Sequence, residues 1–318
     1  MFDYKLIQAL AMVVQEGGFE KAAGTLNITQ SAVSQRVKLL EEQMGQILLS
    51  RTTPPKATPP GRKLLKHYQQ VKRLEDDLLN ETGNVGSKRF TSLAVGINAD
   101  TLATWLLEAV HPFLIEERVL LDIRTEDQER THRLLKDGEV VGCISTQEKS
   151  IQGCRIDTIG LMNYHMYATP EFARQWFPDG LTAADACNAP AIIFNRKDRL
   201  HQKLFLRALG EVPEPIPASY IPSSEKFADA IALGLGYGML PLQQSRPFVR
   251  AGQLVDLAPG HCVPVELYWH CWNIKSKLLQ KFTQQLVGGG RELLRIEEPD
   301  VYQAAAGALR GDGKNGVD

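Results

Sequence analysis

The segment from Phe19 to Lys38 contains two apolar patterns of helical period, separated by a turn signal, and it constrains the fold more than any other stretch. The first pattern predicts a helix whose apolar face consists of Phe19, Ala22, Ala23 and Leu26. Gly24 and Asn27 favour the end of that helix, and the Thr29 hydroxyl can cap the next helix by accepting a backbone N–H. The sequence therefore predicts two short helices joined by a tight turn.

The second predicted helix has one apolar and one polar face. Its apolar stripe consists of Val33, Val37, Leu40 and Met44. Its polar face presents Gln30, Ser31, Ser34, Gln35 and Lys38. Glutamine and serine side chains can hydrogen-bond base edges in the major groove of DNA, and Arg36 and Lys38 can hold a phosphate or a base. The pattern favours a helix that reads double-stranded DNA from Thr29 onward, but a helical hairpin with a solvated polar face has the same spacing.

A further apolar pattern precedes this pair of helices. It consists of Leu6, Ile7, Leu10, Val13 and Val14. Three small helices are the minimum core of a helix-turn-helix unit. The three patterns together therefore predict such a unit at the N-terminal end of the chain.

The distribution of charge agrees with DNA binding at this end. Residues 1–74 contain 11 Lys+Arg and 5 Asp+Glu, a net charge of +6. Residues 75–318 contain 25 Lys+Arg and 32 Asp+Glu, a net charge of −7, and the two parts give the overall −1. A basic end on an acidic body favours a nucleic-acid partner for that end alone.

The same N-terminal residues resemble the DNA-binding domain of LysR-type transcriptional regulators. The matching elements are Phe19-x-x-Ala22-Ala23, Thr29-Gln30-Ser31-Ala32-Val33-Ser34, Leu39-Leu40-Glu41 and Thr58-x-x-Gly61. Pro59 and Pro60 depart from the family pattern at the end of the wing. The resemblance implies a winged helix-turn-helix domain over residues 1–60, in which Arg51 on the wing enters the minor groove.

Later segments resemble one branch of this family, the ArgP/LysG type, which controls the export of basic amino acids. These segments are RTTPPKATPPGRKLL (51–65), NADTLATWLL (98–107), EDQERT (126–131), GEVVG (138–142), SSEKF (223–227) and LYWH (267–270). The resemblance covers about residues 3–295. It implies lysine or arginine as a small-molecule effector, genes of amino-acid export or metabolism as targets, and RNA polymerase as a further partner.

A long helix is predicted to follow the wing. Leu64, Tyr68, Val71, Leu74 and Leu78 step by four, three, three and four residues, the spacing of a coiled-coil seam. The seam favours a dimerisation helix and hinge over residues 61–90, because a helix-turn-helix unit needs two copies to read a palindrome. The expected assembly is a homodimer or homotetramer. An amphipathic helix packed on its own domain is the alternative.

From residue 91, short apolar runs alternate with helical patterns, which predicts an α/β fold with parallel sheets. Predicted strands cover 92–97, 119–124, 140–145, 164–168, 191–194, 236–240 and 267–272, and predicted helices include 101–115 and 276–287. Strands near 160–168 and 261–268 could cross between two Rossmann-like units. The effector-binding domain is expected at 91–296, with subdomain I at about 91–162 and 265–296, and subdomain II at about 163–264. The family resemblance implies the same periplasmic-binding-protein-like architecture, and residues 297–318 are predicted to be disordered.

Open α/β sheets bind ligands at the carboxyl ends of strands and at helix N-termini. The loops that meet this condition carry Asn98, Asp100, Thr101, Glu126, Asp127, Ser145, Asn195 and Ser224. Hydroxyl and backbone N–H groups suit an α-carboxylate, and the acids suit an ammonium or guanidinium group. Helix capping alone would also account for Thr101 and Ser224, and a solvated loop would account for Glu126 and Asp127. The branch resemblance favours a basic amino acid as the ligand.

The sequence argues against an enzyme, a bound cofactor and a membrane partner. Gly234-x-Gly236-x-Gly238 follows a predicted helix and precedes a strand, the reverse of a dinucleotide-binding loop. His270 and Cys271 would point to opposite faces of a strand, so they do not suit one tetrahedral metal site. No run approaches the roughly 20 apolar residues of a membrane helix, and five cysteines without a CxxC motif suit the reducing cytoplasm. A nucleoid- or replication-origin-binding protein without small-molecule control is the alternative function.

Overall fold

Three helices and a short β-hairpin form the N-terminal unit of the computed structural model, which describes residues 3–50, 52–82, 90–125 and 128–295. The helices are α1 (Tyr4–Gln15), α2 (Phe19–Leu26) and α3 (Gln30–Met44), and the hairpin pairs β1 (Leu49–Ser50) with β2 (Lys56–Ala57). Their shared core includes Ile7, Leu10, Ala22, Val33 and Leu40. The predicted winged helix-turn-helix is therefore confirmed.

Local sequence sets the ends of these helices. Asn27 follows α2 in the left-handed conformation, with φ 54°, and Gly45 ends α3 in the same way, with φ 62°. Both residue types tolerate this backbone better than most. Thr29 caps α3 as expected, because its Oγ1 accepts a hydrogen bond from the Ala32 N–H at 3.2 Å.

A long helix, α4 (Pro59–Thr82), follows the wing as predicted. The Thr58 hydroxyl accepts a hydrogen bond from the Gly61 N–H at 3.3 Å, which caps the first turn. Proline suits that turn because its missing N–H would have no partner there. The departure from the family pattern at Pro59 and Pro60 thus leaves the start of the helix intact.

The predicted seam of α4 divides into two parts. Leu64 and Tyr68 are buried in the core of the N-terminal unit. Leu74 and Leu78 remain 39% and 59% exposed, and Leu79 beside the seam is 67% exposed. Packing on the chain's own domain therefore describes the first half of the seam, and the second half leaves an exposed apolar surface.

Gly61 allows α4 to cross the wing at close range. A Cβ atom at this position would lie 2.2 Å from the carbonyl oxygen of Leu48. We expect Gly61→Ala to lower the free energy of unfolding of this unit by about 1–3 kcal/mol, as overpacking does. Urea unfolding followed by circular dichroism measures the change.

Gly24 provides the matched control for this substitution. It lies inside α2, and no neighbouring element comes within 4 Å of an added Cβ atom. Gly24→Ala should therefore raise stability by about 0.5–1 kcal/mol, because alanine loses less backbone entropy in a helix. A Gly61→Ala protein that was as stable as Gly24→Ala would show that the approach of α4 to Leu48 is not tight.

The second unit is built on one mixed sheet with helices around it. Its strands are β3 (Thr91–Ile97), β4 (Val119–Thr125), β5 (Gly142–Ser145), β6 (Cys154–Ala168), β7 (Ala191–Ile193), β8 (Ala218–Tyr220), β9 (Tyr237–Pro241), β10 (Val255–Asp256) and β11 (Val263–Trp272). Its helices are α5 (Ala99–Thr104), α6 (Leu106–Glu116), α7 (Gln128–Asp137), α8 (Pro170–Trp176), α9 (Ala183–Ala186), α10 (Leu200–Leu209), α11 (Ser224–Ala232), α12 (Leu242–Arg250) and α13 (Lys277–Leu294). The strand order is β4-β3-β5-β11-β6-β9-β7-β8, and β10 also pairs with β6.

Two groups of parallel strands lie at the two ends of this sheet. β3 pairs in parallel with β4 and β5, and β7 pairs in parallel with β8 and β9. The long strands β6 and β11 run between them and are antiparallel to each other. They are the two crossing strands that the sequence predicted, and the α/β fold with two Rossmann-like halves is confirmed. The residue limits of the two subdomains stay a prediction.

The predicted helix over 101–115 is wrong in one respect, since it is divided into α5 and α6 at Trp105. Trp105 is only 1% exposed and packs in the main core of the sheet. The break thus coincides with the burial of this large ring, which apolar spacing alone does not show. Within the described residues, no helix combines the length and apolar character needed to cross a membrane.

Candidate functional site

The polar face of α3 is open to solvent. Its exposed side chains are Gln30, Ser31, Ser34, Gln35 and Lys38, and the capping residue Thr29 is exposed beside them. Val33, Val37 and Leu40 are buried on the opposite side. Because an α-helix has 3.6 residues per turn, the polar side chains form one continuous surface of hydrogen-bond donors and acceptors. We call this surface the reading face, since such groups match the base edges of the major groove.

Arg36 and Lys38, the basic residues of α3 that were expected to contact DNA, lie on different sides of the helix. Arg36 is half-buried and lies about 160° around the helix axis from Lys38, so it does not share the reading face. Lys38 does lie on that face, with an exposed ion pair to Glu42 at 3.7 Å. Arg51 lies outside the described residues.

Glu41 and Thr58 attach the wing to the helices. The Glu41 carboxylate accepts hydrogen bonds from the N–H groups of Leu48 at 2.7 Å and Leu49 at 3.2 Å. The Thr58 hydroxyl donates to the Ile47 carbonyl at 2.7 Å, and the Thr58 N–H donates to the Leu48 carbonyl at 2.9 Å. These bonds fix the angle of the wing relative to α3. The sequence showed both residues only as matches to a family pattern, without this structural role.

Asp100 is the centre of a second candidate site, in the first turn of α5. Its Oδ2 accepts a hydrogen bond from the Tyr164 hydroxyl at 2.7 Å, and its Oδ1 accepts one from the Ser224 hydroxyl at 2.7 Å. Tyr164 lies on the crossing strand β6, and Ser224 is the first residue of α11. One carboxylate thus joins the half of the sheet that contains β3 to the half that contains β8.

The electrostatics of this site favour a cation. Burial raises the pKa of the Asp100 carboxyl, the hydrogen bonds from Tyr164 and Ser224 oppose this, and the negative charge of Asp198 raises it further. Burial also raises the pKa of Asp198, which lies between β7 and α10, whereas two backbone N–H groups and the positive charges of Lys203 and Arg199 lower it. No basic side chain in the described part of the chain forms an ion pair with Asp100. A positively charged ligand would supply the missing counter-charge.

Polar groups beside Asp100 are available for hydrogen bonding. The Thr101 hydroxyl and the Asn98 side-chain oxygen are buried without a partner among the described residues. Helix capping does not account for Thr101 or Ser224, because the residues at the capping positions of α5 and α11 are Asn98 and Ser223. The expectation that Thr101 begins a helix is wrong, since α5 begins at Ala99.

Two predicted residues make only local bonds. The Ser145 hydroxyl accepts a hydrogen bond from the Gln147 N–H at 3.1 Å, and the Asn195 side-chain oxygen accepts one from the Lys197 N–H at 2.8 Å. These bonds stabilise turns, and neither of them involves a residue of the Asp100 site. Glu126 and Asp127 lie outside the described residues.

Three residues of the Asp100 site were not predicted: Tyr164, Asp198 and Gln244. The Gln244 side chain donates to the Ser224 carbonyl at 2.8 Å and so supports the start of α11. Tyr164 offered a usable signal, because a tyrosine inside an apolar strand needs a partner for its hydroxyl when it is buried. Asp198 offered none, since nothing in the sequence places that loop beside α5.

The described residues contain no group of three or more His, Cys, Asp or Glu side chains that could hold a metal ion. The buried cysteines are Cys143 and Cys271, and burial raises the pKa of both thiols. Neither thiol therefore has the lowered pKa of a reactive cysteine.

Comparisons with known proteins cover both units. Residues 4–62 match the bacterial regulatory helix-turn-helix protein, lysR family, and residues 91–289 match the LysR substrate binding domain. The chain is 42% identical over 296 residues to the HTH-type transcriptional regulator ArgP of Proteus mirabilis, covering 93% of this chain and 98% of the relative. It is 44% identical over 298 residues to ArgP of Pseudomonas aeruginosa, covering 93% of this chain and 99% of the relative.

Two solved structures are similar over nearly the whole chain. ArgP from Mycobacterium tuberculosis has a TM-score of 0.83 and 37% identity, over 93% of this chain and 100% of that one. Full-length LysG from Corynebacterium glutamicum with bound effector Arg has a TM-score of 0.73 and 31% identity, over 92% of this chain and 99% of that one. The agreement includes the DNA-binding unit, the linker helix and the second unit together.

Proposed function

Because this chain belongs to the LysR family of transcriptional regulators, we propose that it is a sequence-specific DNA-binding regulator that responds to lysine or arginine. The observation that carries the proposal is the pairing of an exposed reading face on α3 with an acidic site at Asp100 that has no described counter-charge. A nucleoid protein without small-molecule control would not need the second of these features.

The reading face enters the major groove of promoter DNA. Thr29, Gln30, Ser31, Ser34 and Gln35 contact base edges, and Lys38 holds a phosphate or a base. The hydrogen bonds of Glu41 position the wing, from which Arg51 reaches the minor groove. Arg36 lies on another side of α3, so it stays a prediction for a phosphate contact beside the groove and not for a base contact.

Lysine or arginine binds between the two halves of the second unit. Asp100, supported by the negative charge of Asp198, binds an ammonium or guanidinium group of the effector. The unpartnered oxygens of Thr101 and Asn98 are available to its remaining polar groups. Ser145, Asn195, Glu126 and Asp127 stay predictions for the outer part of this site.

Effector binding changes the contact between the two halves. Asp100 ties α5 to Ser224 and Tyr164, so a cation that competes for its oxygens shifts the relative population of two arrangements. In a homodimer or homotetramer, formed through the exposed surface of Leu74, Leu78 and Leu79, this shift changes the spacing of the reading faces. RNA polymerase then encounters a different promoter complex, at genes of amino-acid export or metabolism in the cytoplasm.

Selection of bound genomic DNA, with and without lysine or arginine, tests this function. We expect a limited set of sites whose occupancy changes with either basic amino acid. Leucine is the matched control ligand, because it has the same α-groups and lacks a second cation. Binding without sequence preference, or equal responses to leucine and lysine, would contradict the proposal.

A further inference from the structure

A cavity lies between the linker helix α4 and the second unit, and Asp100 does not line it. Its volume is about 630 Å³, within the usual range of small-molecule sites. α4 contributes Lys63 and Lys66, α7 contributes His132 and Lys136, and residues 147–152 after β5 complete the wall. The cavity therefore touches both the DNA-binding arm and the effector-binding unit.

The lining of this cavity is strongly basic. Lys63, Lys66, Lys136 and Lys149 all border it, and no described aspartate or glutamate does. None of these lysines forms an ion pair with a side chain that the structure describes, and the nearby Asp137 pairs instead with Arg62 at 2.9 Å. Ammonium groups collected around one space repel one another, and an anion would relieve that repulsion.

His132 adds an unsatisfied polar group to the same wall. Its side chain is 6% exposed, and its Nε2 has no hydrogen-bond partner among the described residues. The ring meets His270 edge-on with the centroids 4.6 Å apart, and His270 Nε2 lies 2.8 Å from the Gln147 carbonyl, to which it must donate. Burial, with the positive charges of His270 and Lys136, lowers the pKa of His132 to about 4. His132 is therefore neutral near pH 7, and the positive charge around the cavity comes from the lysines.

α4 lies close to the end of α7 and to the turn that follows it. The Arg62 guanidinium donates to the Ala57 carbonyl at 3.0 Å and pairs with Asp137, so it joins the wing to the end of α7. A Cβ atom on Gly138 would lie 2.6 Å from the Cα atom of Lys66, which shows how closely the following turn approaches α4. A ligand between these elements would stabilise their present arrangement, as any ligand stabilises the state that binds it.

We propose that this cavity binds a small molecule carrying two or more phosphate groups, and that its occupancy holds α4 against the effector-binding unit. Lysine ammonium groups are effective point charges for phosphate oxygens. Four of them around a space of this size match a diphosphate better than a single phosphate. The site is separate from the proposed effector site, because Asp100 does not line it.

Isothermal titration of the full-length protein with inorganic pyrophosphate tests this proposal, with inorganic phosphate and sulfate as comparison ligands. We expect pyrophosphate to bind most tightly of the three. The double variant Lys66→Gln/Lys149→Gln should weaken pyrophosphate binding about 100-fold or more, the loss expected for two charge-assisted hydrogen bonds. Thermal melting checks that the variant folds, and Lys63→Gln/Lys136→Gln replaces it if it does not.

The matched control is Lys5→Gln/Lys21→Gln, which removes two exposed charges from α1 and α2. It should leave pyrophosphate affinity unchanged. Equal weakening in the cavity and control variants would assign the binding to general positive charge and overturn the proposal. The absence of both heat and a melting shift with pyrophosphate would overturn it as well.

Discussion

Replacing Asp100 by asparagine should remove most of the response to lysine and arginine while leaving DNA binding intact. The carboxylate has no described basic partner, so the bound cation would be its counter-charge. Removing one member of a buried, hydrogen-bonded charge pair costs about 2–5 kcal/mol, roughly 30-fold or more in affinity. Asparagine keeps the size of the side chain and one accepting oxygen, so the fold should be retained. Calorimetric titration with each amino acid measures the loss.

Asp179 offers the matched control. It is an exposed acid in the same unit, in the turn after α8. Asp179→Asn changes the net charge by the same amount and should leave effector affinity unchanged. If Asp100→Asn bound lysine and arginine as the unmodified protein does, the placement of the effector at Asp100 would be wrong.

The pH dependence of effector binding gives a second readout of the same carboxyl. Because burial raises the pKa of Asp100, the group takes up a proton at higher pH than an ordinary aspartate. The cation binds the ionised form, so affinity should fall as pH falls through the raised pKa. The free energy of unfolding of the unliganded protein should instead rise as pH falls, because the folded state, with its raised Asp100 pKa, takes up a proton more readily than the unfolded state. Calorimetric titrations with lysine over a pH series should show this fall in affinity for the unmodified protein. The Asp100→Asn protein should not show it.

The double substitution Gln30→Ala/Ser34→Ala should remove most of the preference for the operator while preserving much of the non-specific affinity. Each good side-chain contact to a base contributes about 1–3 kcal/mol of discrimination, whereas non-specific binding comes mainly from contacts to phosphate. Both side chains are exposed, so their loss should leave the fold intact. Competition between operator and random DNA, at fixed salt concentration, measures the ratio of the two affinities.

Gln43→Ala is the control on the same helix. Gln43 is exposed near the end of α3 and is turned away from the reading face. Its removal should leave operator preference unchanged. A footprint of the double variant that equalled that of the unmodified protein would remove Gln30 and Ser34 from the base contacts.

The sequence was most informative where the interacting residues are neighbours in the chain. The turn between α2 and α3 depends on Asn27 and Thr29, whose effects are local, and the structure shows both as expected. The spacing of apolar residues also distinguished strands from helices in the second unit. Spacing could not show the break at Trp105, because that break depends on the core into which the ring packs.

The two candidate sites also differ in whether their residues are close together or far apart in the sequence. The reading face lies on a single helix, so its membership followed from helical period. The Asp100 site draws on α5, β6 and α11, together with the loop before α10. Tyr164 and Ser224 lie 64 and 124 residues from Asp100 along the chain. Asp198 reaches the site only because the crossing strands bring the two halves of the sheet together.

The sequence by itself determined the helix-turn-helix, the alternation of strands and helices in the second unit, and the family to be expected, because these depend on local spacing and on short motifs. Only the tertiary structure decided which polar groups meet. It placed the Asp100 carboxylate between Tyr164 and Ser224, buried the first seam residues of the linker helix while leaving Leu74 and Leu78 exposed, and gathered the lysines around the cavity beside α4. The physical reason is that hydrogen bonds and electrostatic interactions depend on distance in space, and the fold sets that distance between residues far apart in the chain.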